Sequence, residues 1–115
     1  TFDQQTGTLF SSDLFGSYAQ RWELFLELNS QCCDCYSYQD CPLNKKECPI
    51  LGIIDFHTNI MTSKKALTYA LNKIRELPIE TVAPQHGSVI TQREVIDAVM
   101  DKLDKIDEIG IDSIL

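Results

Sequence analysis

Basic residues are scarce in this chain: 10 Lys and Arg stand against 17 Asp and Glu, for a net charge of −7. A nucleic-acid surface needs clustered cations to neutralise phosphate, so that partner class is excluded. Docking on anionic lipid is excluded on the same ground. No apolar run approaches the roughly 20 residues that span a bilayer. No signal peptide, internal repeat or low-complexity tract is visible. The sequence opens on Thr1-Phe2-Asp3, without Met, which reads as a start inside a structural element. What remains is the composition of an ordinary globular domain, 43% hydrophobic over 115 residues. That length can bury a core without disulfide staples.

The pattern along the chain is mixed α/β. Asp3–Gly7 carries turn residues with Gly at its end. Thr8–Ser12 follows as a short strand, the second of a hairpin whose first strand is a stub. Tyr18, Trp22, Phe25 and Leu26 recur at helical spacing and predict a helix to about Leu28. Gln31–Pro49 has no period and reads as an irregular excursion, longer than the connections usual in compact domains. Ile50–Ile54 reads as a short buried strand or turn. Thr62 or Ser63 can cap a helix striped by Leu67, Ala70, Leu71, Ile74 and Leu77, stopped by Pro78. Ile79–Ala83 is a strand and Pro84–Ser88 a tight loop. Thr91 and Glu94 fit a capping box for a final helix over Val95, Ile96, Val99, Met100, Leu103 and Ile106, closed at Gly110. From Thr91 onward seven acidic residues face three basic ones, a solvated helix face.

Two residues sit where α/β folds place their chemistry, at the C-terminal ends of strands. Asp13 follows the first strand in Phe10-Ser11-Ser12-Asp13-Leu14-Phe15-Gly16, and a carboxylate there can bridge two cations. His86 follows the second in Ala83-Pro84-Gln85-His86-Gly87, and a neutral imidazole on a fixed loop suits iron or zinc. Taken singly, Asp13 reads equally as a turn cap and His86 as a polar loop residue. A third group is Cys32, Cys33, Cys35, Cys41 and Cys48, spaced C-C-x-C-x5-C-x6-C. The spacing matches no standard zinc or ferredoxin pattern. Four such thiolates can hold Zn²⁺ or an Fe–S cluster, or two can form a redox disulfide; buried free thiols are the plain alternative.

Together the Asp13 and His86 motifs resemble those of the flavodiiron and oxygen-binding diiron proteins of the metallo-β-lactamase superfamily. The resemblance covers residues 1–28 and 56–115. It implies the C-terminal half of a metallo-β-lactamase-like αββα sandwich, with residues 1–115 as one partial domain and 31–49 as a Cys-rich insertion. It implies that Asp13 is the bridging carboxylate of a diiron centre and His86 a terminal ligand. The parent activity it implies is binding, sensing or reduction of O₂, or of NO, in the cytoplasm.

The family's His-x-Glu-x-Asp-His motif is missing. His57, the only other histidine, is read as a group behind the ligands or at the core edge. Two ligands do not hold two metals, so the chain alone is expected to be inactive and to bind iron weakly. Its partners would be a second copy of itself, a missing N-terminal half, or an electron-transfer or signalling domain. A zinc hydrolase on the same scaffold and a cysteine-centred metal or redox module are the alternatives.

Overall fold

The Asp3–Gly7 turn is made by the Asp3 side chain. Its carboxylate accepts from the Gln5 N–H at 3.2 Å and the Thr6 hydroxyl at 2.6 Å. The Thr6 hydrogen bond holds the Asp3 carboxyl below the usual carboxylate range. Gly7 closes the turn at φ +66°, which a residue without Cβ adopts freely. The turn pairs β1 (Phe2–Asp3) antiparallel to β2 (Thr8–Ser12), with Phe2 opposite Leu9. On its other side β2 runs parallel to β3 (Thr81–Pro84), giving a three-stranded sheet in the order β1-β2-β3.

The architecture comes from a computed structural model, which describes residues 1–17, 23–26 and 49–113. The crossover from β2 to β3 carries two helices, α1 (Pro49–Ile60) and α2 (Lys64–Arg75). A third, α3 (Arg93–Asp104), follows β3, and a 3₁₀ turn spans Gly110–Ser113. α3 packs on β3, α1 and α2 pack against α3, and Leu67, Leu71, Val95, Ile96, Val99 and Leu103 join Leu9 and Val82 of the sheet in one core. Each such side chain stabilises the fold by about 1.5–3 kcal/mol. No helix among the described residues is long and apolar enough to cross a membrane.

Several expectations are corrected here. Ile50–Ile54 is helical, not a strand. Pro49 at the first helical position has the right φ and lacks an N–H that would go unpaired. Ile50, Ile53 and His57 then recur on one buried face. Glu23–Leu26 is extended rather than helical: Phe25 bridges Val89 in parallel, and the Leu26 N–H donates to the Val89 carbonyl at 2.8 Å. Backbone pairing to a sheet edge overrides the helical spacing there; Tyr18, Trp22 and Leu28 lie outside the described residues. β3 starts at Thr81, because Ile79 and Glu80 are taken up by the corner at Gly7.

Two caps differ as well. Ser63 caps α2, its Oγ accepting from the Ala66 N–H. The Thr91 capping box does not form: Gln92 is the cap residue of α3 and makes no side-chain cap bond. Gly110 does not close α3, which ends five residues earlier at the Lys105 C-cap. Instead Gly110, at φ +56°, lies against the Met61 and Thr62 carbonyls, where a Cβ would sit 2.1 and 2.3 Å away. This docks the 3₁₀ turn on the α1–α2 corner, and the Asp112 carboxylate accepts from the Lys64 N–H at 2.9 Å.

Candidate metal centre

β2 and β3 are parallel, so their C-terminal ends lie at the same edge of the sheet. The pairing skips Ser11: Phe10 faces Ala83 and Ser12 faces Pro84. A bulge of this kind re-aims the chain that follows, here the turn carrying Asp13. Past the bulge, Ser12 and Phe15 both take positive φ, +55° and +69°. Such backbone in residues other than Gly is costly and persists only where surroundings impose it.

The surroundings are specific. The Leu14 N–H donates to the Ser11 carbonyl at 3.1 Å and the Gly16 N–H to the Asp13 carbonyl at 2.9 Å. The Ser11 hydroxyl donates to the Leu14 carbonyl at 2.5 Å. The Phe15 N–H donates to Nε2 of His57 at 3.0 Å. Gly16 passes so close to α1 that a Cβ would meet the Phe56 ring at 2.6 Å and the Asp13 carbonyl at 2.8 Å. Phe15 itself is buried, 1% exposed.

The second turn is the tip of a hairpin. Val82 and Ile90 exchange hydrogen bonds of 2.8 and 2.9 Å in an antiparallel bridge, so the chain reverses over residues 84–88. His86 is exposed at that tip and Asp13 is half-buried. Two main-chain hydrogen bonds zip the turns together: the Gln85 N–H donates to the Ser12 carbonyl at 2.8 Å, and the Ser17 N–H to the His86 carbonyl at 2.9 Å. Gly87, at φ +134°, lies against Ser17 and Phe15, where a Cβ would come within 3.2 Å of the Ser17 nitrogen. The structure therefore brings the turns of Asp13 and His86 side by side. Among the described residues, neither the Asp13 carboxylate nor the His86 ring has a hydrogen-bond or ion-pair partner.

His57 lies inside α1 and is wholly buried, 0% exposed. Its Nε2 accepts from Phe15, so the ring proton sits on Nδ1 and is donated to the Ile53 carbonyl at 2.7 Å. Burial pushes its pKa below 6.5, against a smaller opposing effect of the Ile53 bond. With both nitrogens engaged, His57 has no lone pair for a metal. The sequence holds a signal for this: Ile50, Ile53 and His57 share helical spacing. The Ser11 bulge and the Phe15–His57 bond leave no such trace.

Asp13 and His86 offer a carboxylate and an imidazole, donors suited to iron or zinc. Among the described residues no group of three or more His, Cys, Asp and Glu side chains comes together to hold a metal ion. Two donors fit part of a binuclear centre and do not complete one. Cys32, Cys33, Cys35, Cys41 and Cys48 lie outside the described residues.

A parallel strand pair with a helical crossover, and two paired turns at its C-terminal edge, make this an α/β unit. The chain belongs to the ODP family of beta lactamases, whose family model matches residues 1–87. Two solved structures are similar over 98% of this chain at 22% identity. One is described as the peroxy diiron species of chemotaxis sensor ODP, with a TM-score of 0.71. The other is the apo state of chemotaxis sensor ODP from T. denticola, with a TM-score of 0.69. This chain spans 40% and 39% of those two chains. None of the curated proteins matches it.

Proposed function

We propose that this chain is the C-terminal part of a diiron domain that binds O₂, or NO, for sensing. In this reading the Asp13 carboxylate and the His86 imidazole would each supply a ligand to the iron centre. The observation that carries it is the pairing of the two turns. A bulge, two positive-φ residues and two cross-turn hydrogen bonds hold the turns that carry a carboxylate and an imidazole at one sheet edge. The diiron species described for one similar structure supports iron as the metal, and the description of both as a chemotaxis sensor supports sensing over turnover. The other ligands come from polypeptide outside this chain, in keeping with the 40% of the similar structure that it spans. The same polypeptide, or a second copy of this chain, covers the sheet face bearing Phe10. The five cysteines are proposed as a separate thiolate site for a soft metal or for redox chemistry.

Anaerobic calorimetry with Fe²⁺ tests the ligand assignment. The isolated chain should bind iron weakly, and Asp13→Asn and His86→Ala should each abolish that binding. Two tightly held irons per isolated chain, or variants that bind as the parent does, would refute it.

A further inference from the structure

α1 presents two consecutive side chains to the Asp13 turn, and they do different things. Phe56 occupies the space that a side chain at position 16 would need. His57 supplies the acceptor for the Phe15 N–H, in a place no water reaches. The two rings meet edge to face, with centroids 5.6 Å apart and planes at 67°. The imidazole is itself locked, since Nδ1–H is spent on the Ile53 carbonyl one helical turn back. Its lone pair is thereby aimed at one main-chain N–H, two residues after Asp13. Phe15 has φ +69°, a conformation that relaxes if its anchor is lost.

The structure assigns to His57 the task of a positioning residue: through the Phe15 N–H it fixes the conformation of the turn that presents the Asp13 carboxylate. The metal consequence rests on the reading of Asp13 as a ligand; the conformational assignment does not. Groups that orient a metal ligand without touching the metal typically set about 10- to 100-fold of the affinity. His57 therefore acts on metal binding from a buried position, without being a ligand.

The test uses the whole chain, with Co²⁺ as the probe and ¹⁵N NMR as the readout. In the parent protein the Phe15 amide should be protected from exchange and show coupling across the hydrogen bond to Nε2 of His57. His57→Phe fills the same space without an acceptor; it should lose Phe15 protection and weaken Co²⁺ binding by about 10- to 100-fold. His57→Gln can place its Oε1 near the former Nε2, and should restore most of both.

Absence of the coupling and protection in the parent overturns the assignment, whatever the variants do. So does a folded His57→Phe protein that keeps a protected Phe15 amide, or that binds Co²⁺ like the parent while Asp13→Asn does not. If Asp13→Asn binds as the parent does, the ligand reading fails, and Phe15 protection alone decides the role of His57.

Discussion

A neutral imidazole has one nitrogen that donates and one that accepts, and His57 uses each on a main-chain group. Protonation would place a second N–H against the Phe15 N–H, so the folded chain resists it, and burial lowers the pKa from 6.5. The unfolded chain then binds the proton more readily than the folded one. Stability from this source is complete above about pH 6.5 and is lost as pH falls from there toward the lowered folded value. The loss is at most about 1.4 kcal/mol per pH unit for one group. Urea denaturation between about pH 7.5 and pH 5 should show it, and the slope should flatten in His57→Gln. Gly16→Ala should cost about 1–3 kcal/mol in the same assay, because the new methyl meets both a ring and a backbone carbonyl. A Gly16→Ala protein as stable as the parent would mean that α1 yields at Phe56.

At the scale of elements, β2 and α2 were readable from sequence because their causes are local. Thr8–Ser12 carries its own turn at Asp3–Gly7, and α2 has a cap at Ser63 and the stripe Leu67, Leu71 and Ile74. α1 was misread because its apolar run is short and its last turn, His57-Thr58-Asn59, lacks strong helix formers. Those three side chains instead bond the carbonyls of Ile53, Ile54 and Asp55, one turn back. The final capping box failed as a guide because a local motif competes with the Val82–Ile90 pairing just before it. Likewise, the strand ends bearing Asp13 and His86 were visible from sequence, while the contacts that align them are long-range and were not.

The start of α2 is capped twice, from within by Ser63 and from 48 residues away by Asp112. Asp112→Ala should destabilise the chain by about 1 kcal/mol, and Ser63→Ala by a similar amount. Thermal melts of both variants check this. The Arg75–Asp104 ion pair is a weaker lever, since both side chains are about one-third exposed.

At the scale of the whole molecule the sheet is covered unequally. Leu9 and Val82 are buried under helices, while Phe10, on the opposite face of β2, is 53% exposed. Beside this open ring the sheet also has, among the described residues, an uncovered strand edge at β1, and such edges seek partners, so the isolated chain is expected to dimerise. Light scattering should find a dimer, and Phe10→Glu should shift it toward monomer; a monomeric parent at all concentrations would defeat the expectation.

The cross-turn hydrogen bonds run wholly between main-chain atoms, from Gln85 to Ser12 and from Ser17 to His86. Main-chain stitching is indifferent to most side chains. Gln85 can therefore be replaced by many residues other than Pro while the turns stay joined, whereas Ser12, held at φ +55°, and the close-packed Gly16 and Gly87 cannot be replaced so freely. The geometry of this edge is thus inherited through the backbone, leaving its rim free to vary in charge and shape with whatever completes it.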